Sequence, residues 1–360
     1  MKNLNEIRKE INAIDEQMRE LFTKRMAAAH DVAEYKMAHG LPILDAQREN
    51  EVIEKNASML EDEELRTYYV SFLQGNMAVS RSYQDMLTNG MKVAYSGVAG
   101  AFAYIAACKN FPNSRKIAYG NFEEAYNACV SGECDAVVLP IENSYNGEVG
   151  AVTDLMFSGP LFVNGIIDVD ISHCLIGTKD SNVSDIKTVV SHPQALAQCN
   201  AYIRNHKYDE LEYENTALAA EYVAKTNDKT IAAIGSESAA EIFGLKILEK
   251  NINESRTNTT RFATFSRSEH KHRESESGVY SIILFTVRNE AGALAKALDI
   301  IGKHNFNMRT LRSRPMKDLM WEYYFYIEAE GNINSKEGRR MIEDLEEYCA
   351  KVKVIGSYLK

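Results

Sequence analysis

The chain has 360 residues, 45% hydrophobic and 26% charged, the composition of a globular protein with material for more than one core. A formal net charge of -10 argues against nucleic acid or an anionic membrane as partner, so any small anion it handles must meet locally gathered cations. The charged opening MKNLNEIRKE is unlike an export signal, no later run approaches a membrane span, and the cysteines show no CxxC or zinc spacing. The expectation is a cytoplasmic protein whose cysteines are small core residues.

Leu4, Ile7, Ile11, Ile14, Met18 and Leu21 recur at 3,4 spacing and predict one apolar seam on a long helix, uninterrupted before Gly40-Leu41-Pro42. Such a helix, about 50 Å long, outruns one small domain and needs a second copy to cover it. The same count continues through 25, 28, 32 and 35, which puts Arg25 on the stripe with Lys36 beside it. Cations on a buried face require acidic partners or an anionic ligand. Asp45 is placed to cap a second helix, DAQRENEV, and a third from about Asp62 to Leu87 carries Leu73, Met77, Ser80 and Gln84 on one face. The last two are polar where packing alone would select apolar residues.

Thr88-Asn89-Gly90 closes this all-α segment, 1–88, and from 91 to 266 strand and helix patterns alternate in two βαβ runs separated by a long strand region, 161 to 177. An α/β body of two lobes follows, of the kind seen in periplasmic binding proteins, with a ligand cleft between them. Within it, VVLPIENSYNGEVG (137–150) reads as a buried strand delivering a polar loop. Pro140 is expected to end the strand's pairing, since proline gives nothing to a ladder, and Glu142, Asn143 and Ser144 leave its carboxyl end, where open sheets bind ligands. Three clusters accompany that loop: the glycine-bearing turn from Tyr95 to Phe102, the run from Ser191 to Gln198 that opens a helix, and Asn258-Thr259-Thr260-Arg261-Phe262. Ser266 to Gly278 reads as a charged linker. Residues 278–360 then follow the order βαββαβ, an α+β module, with strands near 307–314 and 321–329.

These residues carry resemblances. Arg8 in EIRKEI, Arg25 in TKRMA, Lys36 in AEYKMA, Asp45-x-x-Arg48-Glu49 and Ser80-x-x-x-Gln84 resemble the all-helical chorismate mutases, in which two chains exchange long helices. The resemblance implies chorismate as substrate, with Arg25 and Arg48 on its carboxylates and Arg8 reaching in from the second chain. Lys36 and Gln84 would serve the ether oxygen and Glu49 a hydroxyl, with Asp45 and Ser80 alongside. A unimolecular rearrangement needs no nucleophile, so fixed cations in a dry bundle suit it.

The IENS loop, the SHPQALAQC run and the TRF motif resemble prephenate dehydratase, which implies loss of water and carbon dioxide from prephenate to give phenylpyruvate. Thr260 then donates or relays the proton, Arg261 and the amides after Ser191 hold carboxylates, and Asn143, Ser191 and Gln198 line the pocket with Ser144 and Phe262, oriented by Glu142. The tail resembles an ACT domain, its Gly292-Ala293-Leu294 and Ser313-Arg314-Pro315 matching the phenylalanine-binding form, although Arg312 stands where that motif usually has Glu. The resulting expectation is a cofactor-free and metal-free bifunctional enzyme, a homodimer or tetramer under L-phenylalanine control. The SGVAGAFAY turn and the HCL stretch also resemble arogenate dehydratases, which keeps arogenate open as a substrate. From a different class, the body could be a non-catalytic ligand-binding module with the helices as a dimerisation arm.

Overall fold

The computed structural model describes residues 2–255, 257–316 and 323–360. It forms two compact units, the first running to Lys92 and including Asn113–Arg115, the second comprising the rest.

The first unit is helical. Helix α1 (Leu4–His39) opens on an Asn3/Glu6 capping box and stops at Gly40, whose left-handed backbone, φ 63°, ends the helix. Asp45 caps α2 (Ala46–Ala57) and Asp62 caps α3 (Glu63–Asn89). Met77, Ser80 and Gln84 are buried on α3 as their spacing requires. On α1 the predicted stripe shifts. Ala29 and Ala33 are buried and Arg25 and Lys36 half-buried, whereas Val32 and Tyr35 are 43% and 59% exposed. A strict 3,4 count drifts around a straight 3.6-residue helix, and small alanines let α1 and α3 approach closely. The N-terminal seam stays open in the single chain: Leu4, Ile7, Ile11, Ile14, Met18 and Leu21 are 40% to 63% exposed.

The second unit begins with β1 (Lys92–Ser96), α4 (Phe102–Asn110), β2 (Arg115–Tyr119), α5 (Phe122–Val130), β3 (Ala136–Asn143), β4 (Gly147–Glu148), α6 (Gly150–Ser158) and β5 (Phe162–Asp170). A second lobe follows, comprising β6 (Cys174–Gly177), β7 (Thr188–Ser191), α7 (Pro193–Gln198), α8 (Asn200–His206), β8 (Asp209–Glu212), α9 (Thr216–Thr226), β9 (Ile231–Gly235), α10 (Glu237–Ile242) and β10 (Lys246–Glu249). The chain returns through β11 (Thr259–Ser266). The expected continuous strand region at 161–177 is therefore two strands in two sheets, and Ile171–His173 is one crossing between lobes. The amide of Ile171 ties it to Asn258 O, 2.7 Å away in the return crossing. The exposed, polar strand β8 carries no apolar alternation, which is why its sequence is silent.

Pro140 contradicts its expected place at the strand's end, because β3 runs past it to Asn143, between β11 and β1. Its missing donor is absorbed locally. The β1 ladder ends at Val138, and the β11 register skips Ile141, pairing Phe262 with Pro140 and Arg261 with Glu142. This bulge is where a sheet tolerates proline.

The tail is βαββαβ: β12 (Val279–Thr286), α11 (Ala293–Lys303), β13 (Asn307–Pro315), β14 (Tyr323–Glu330), α12 (Lys336–Tyr348) and β15 (Lys351–Leu359). The third tail strand was expected from 321, and residues 321 and 322 lie outside the described residues. The charged linker is docked on the tail, with His272 buried, Arg273 O accepting from Asn332 at 2.8 Å and Glu274 from the Lys336 amide at 2.9 Å. Tail and first lobe share a sheet of order β13-β14-β12-β15-β5-β11-β3-β1-β2, with β4 beside β3; the second lobe has β10-β6-β9-β7-β8. At the junction Gly356 faces Val163, and a Cβ on Gly356 would stand 2.1 Å from Val163 O, so only glycine permits this approach. No helix among the described residues is long and apolar enough to cross a membrane.

Candidate active sites

In the helical unit the polar residues singled out by spacing meet one another in part. Arg25 donates to Asn76 O at 3.1 Å and to the Ser80 hydroxyl, and Arg81 donates to Glu49. Lys36 donates to Ile43 O at 2.5 Å, Asp45 accepts from the Arg48 amide at 3.0 Å, and the exposed Arg48 side chain faces Glu51 at 3.5 Å. Gln84 is 8% exposed and its Oε1 has no partner among the described residues. Arg8 sits exposed on the open half of α1, in the same stretch as the uncovered seam.

In the second unit a cavity of about 550 Å³ opens between the two lobes. Its walls include Ala101 to Ala103 at the start of α4, Pro140 and Asn143 on β3, Thr260 and Phe262 on β11, His173 in the crossing, and Gln194 and Gln198 on α7. The ends of β3 and β11 deliver Asn143 and Thr260 as a cross-strand pair, so both project from one face. Main-chain amides fix their polarity. Asn143 Oδ1 accepts from the amides of Tyr145 and Asn146, each at 3.0 Å. Its Nδ2 is therefore turned to Thr260 Oγ1 at 2.9 Å and to Asn258 Oδ1 at 2.8 Å. Asn258 Nδ2 in turn donates to Gln198 Oε1 at 3.0 Å. Thr260, 8% exposed, thus accepts from Asn143 and keeps its own hydroxyl proton for the cavity.

Four expected site residues point elsewhere. The same alternation that aims Thr260 and Phe262 into the cavity aims Arg261 out of it. Arg261 is engaged by Glu328 through two bonds of 2.9 Å, by Tyr358 at 2.9 Å and by Glu142 at 3.3 Å. Burial disfavours its charge, but Glu328 overrides this and raises its pKa above the ordinary arginine value. In this geometry it holds the tail rather than a carboxylate in the cavity. Glu142, its cross-strand partner, shares that outer face and also pairs with Arg312. Ser144 donates to Thr257 O at 3.0 Å and accepts from the Thr259 amide at 2.9 Å, tying its loop to the return crossing. Ser191 is fully buried and donates to Ile234 O at 2.6 Å, bracing β7 against β9. Among the described residues lining the cavity none is Lys or Arg, whereas the first turn of α4 meets it with no side-chain cap. Uncapped helix amides are anion donors.

Family models match residues 7–85 as chorismate mutase type II, 93–270 as prephenate dehydratase and 281–347 as ACT domain. A bifunctional chorismate mutase/prephenate dehydratase of Aquifex aeolicus is 31% identical over 100% of this chain and 99% of its own. The chain belongs to the bifunctional chorismate mutase/prephenate dehydratase family. An arogenate dehydratase/prephenate dehydratase 2 of Arabidopsis thaliana is 31% identical, covering 88% of this chain and 86% of its own. The crystal structure of a prephenate dehydratase from Arthrobacter aurescens in complex with L-Phe matches with a TM-score of 0.69 at 25% identity, over 75% of this chain and 90% of its own.

For a member of this family the tail motifs have a specific setting here. Gly292 begins α11 in the left-handed region, φ 83°, Ala293 is buried with its carbonyl accepting from Tyr348 at 3.2 Å, and Leu294 packs against the tail's core. Arg314, between Ser313 and Pro315 on β13, donates to Asp154 at 3.0 and 3.1 Å and to Tyr324 at 3.2 Å. One β13 arginine therefore binds α6 of the body and another, Arg312, binds Glu142 on β3. Sequence reasoning passed over His173 and the side chain of Asn258; the HCL stretch and the Asn opening NTTRF were the signals present.

Proposed function

We propose that the chain rearranges chorismate to prephenate in its helical unit and removes water and carbon dioxide from prephenate in its two-lobed body, giving phenylpyruvate. The observation that carries the second step is the Asn143–Thr260 pair. A leaving ring hydroxyl needs a proton, and Thr260 has one to give; as its oxygen becomes anionic the N–H of Asn143 is already aimed at it. The ring carboxylate leaves as carbon dioxide, its C–C electron pair completes the aromatic ring, and Thr260 recovers a proton from water. The α4 amides would take a substrate carboxylate, since no described residue lining the cavity is Lys or Arg. In the helical unit Arg25, Ser80 and Gln84, with Lys36, Arg48 and Glu49, would hold chorismate compact, and Arg8 would act in a second copy that covers the open seam. A homodimer in the cytoplasm, with L-phenylalanine acting through the tail at Gly292–Leu294 and Ser313–Pro315, completes the reading.

Arogenate is the second reading. Glu214 stands on the cavity wall, and its carboxylate suits the ammonium group that distinguishes arogenate from prephenate. Incubating the purified chain with chorismate alone, and separating products without acid, tests both. Phenylpyruvate supports the first reading. Accumulated prephenate that is consumed only after conversion to arogenate supports the second, and unchanged chorismate would refute the mutase step.

A further inference from the structure

The Asn143–Thr260 pair sits beside an interruption of its sheet. The β1 ladder stops at Val138, Pro140 offers no amide, and the β11 register skips Ile141 before it brings Glu142 opposite Arg261 and Asn143 opposite Thr260. On its other flank this end of β3 has the two-residue strand β4. A ladder so interrupted leaves the spacing of the last two pairs to side chains. On the outer face these form one run of alternating charge: Arg312, Glu142, Arg261, Glu328. Arg312 donates to Glu142, Arg261 donates to Glu142 at 3.3 Å, and Glu328 takes two bonds of 2.9 Å from Arg261. The middle two are cross-strand partners in the body, each next in sequence to a member of the Asn143–Thr260 pair, and the end two belong to the tail, on β13 and β14. Tyr358 of β15 closes the run, accepting from Arg261 at 2.9 Å and donating to Glu328 at 2.5 Å. Five strands separate β13 from β3 in the sheet order, so no ladder sets their distance. The four charged side chains are 4% to 27% exposed, sheltered enough for charge-assisted bonds to hold a geometry.

We propose that Arg312 and Glu328 of the tail are positioning residues for the dehydration, gripping Glu142 and Arg261 on the outer face so that, on the inner face, Asn143 Nδ2 stays aimed at Thr260 Oγ1. The proposal rests on the dehydratase reading above. Both tail residues lie outside the described lining of the cavity, so they act on the substrate only through the strands they hold. What they set is the 2.9 Å contact from Asn143 to Thr260, the bond that strengthens as the Thr260 oxygen gives up its proton. An interaction stronger in the transition state than in the ground state acts on kcat, and a loss of its alignment leaves substrate binding largely as it was.

Arg312→Gln removes the cation at one end of the run and leaves Glu142 paired with Arg261, so no carboxylate is stranded. It is expected to lower dehydratase kcat roughly 10- to 100-fold, the cost of a misplaced group, with little change in KM, and Arg312→Lys, which keeps the charge, to recover most of the loss. Glu328→Gln weakens the run from its other end and should give the same pattern, which keeps the proposal testable if one variant folds poorly. Kinetics are measured on whichever of prephenate and arogenate the unmodified chain consumes, below the melting transition of each variant. The deciding measurement repeats Arg312→Gln in an Asn143→Ala background. With no Asn143 donor left to misplace, kcat should fall no further, whereas a general structural role makes the two losses multiply. Multiplying losses, a loss carried by KM, or an undiminished kcat in folded Arg312→Gln would each overturn the proposal. If the unmodified chain turns over neither substrate, the dehydratase reading fails first and takes this inference with it.

Discussion

Replacing Arg261 decides between two accounts of the same residue. In the structure its guanidinium is shared by Glu328, Tyr358 and Glu142, and the Glu328 side chain is only 4% exposed. Arg261→Met would strand that carboxylate in the interior, at a cost of roughly 3–5 kcal/mol. For a unit of this size each kcal/mol lowers Tm by about 2–4 °C, so a drop on the order of 10 °C is expected. Adding Glu328→Leu removes the stranded charge and should recover most of it, since a buried ion pair exchanged for apolar residues is often neutral. Dehydratase kinetics on the double variant then read the substrate contribution with stability restored. A lost charge-assisted bond to a substrate carboxylate is worth about 1.5–3 kcal/mol, or roughly 10- to 150-fold in KM. The geometry here implies a change under about threefold. Calorimetry and steady-state kinetics on the four-member cycle supply both numbers, and a KM raised tenfold or more in the double variant would refute the outward placement of Arg261.

Asn143→Ala should lower dehydratase kcat by about 100- to 1000-fold, the effect of losing one oriented donor, and leave mutase turnover unchanged in the same preparation. Lys36→Ala should do the opposite, abolishing prephenate formation from chorismate while added prephenate is still consumed. Ile11→Glu with Ile14→Glu on the open seam should shift the chain to monomer in analytical ultracentrifugation and remove mutase activity together with it. Burial disfavours ionised Glu328, but the bonds from Arg261 and Tyr358 outweigh this and hold its pKa below the ordinary value. A depressed carboxylate contributes stability above its unfolded pKa, about 4.3, and loses it as pH falls through the folded value. Melting temperature should therefore fall on acidification below about pH 4.3, and Glu328→Gln should flatten that acid limb.

The helices were legible because their signals are local. Asn3, Asp45 and Asp62 cap where short polar side chains precede apolar periodicity, and Gly40 ends α1 where it must. The βαββαβ order of the tail was legible for the same reason. Orientation relative to a cavity was less so. Thr260-Arg261-Phe262 reads as one motif, yet consecutive strand residues face opposite ways, so a motif on a strand cannot all enter one pocket. Pro140 misled because the bulge that accommodates it belongs to the pairing of β3 with β11, distant in sequence. His173 could not be found by spacing: its partner Gln198, and Asn258 bonded to the same Gln198 oxygen, come from elements that meet only once the two lobes are folded.

The close approach of Gly356 to Val163 bears on anyone who would trim this chain. Removing the tail to obtain the dehydratase body alone would strip β15 from the flank of β5 and turn an interior strand into a raw edge. Glu142, Arg261 and Asp154 would lose their tail partners in the same cut. Unpaired edges recruit other chains. A truncated enzyme that precipitates, or that sediments as a ladder of species, would thus report a damaged sheet rather than any property of the missing tail, and kinetic comparisons with it would have no clean reference state.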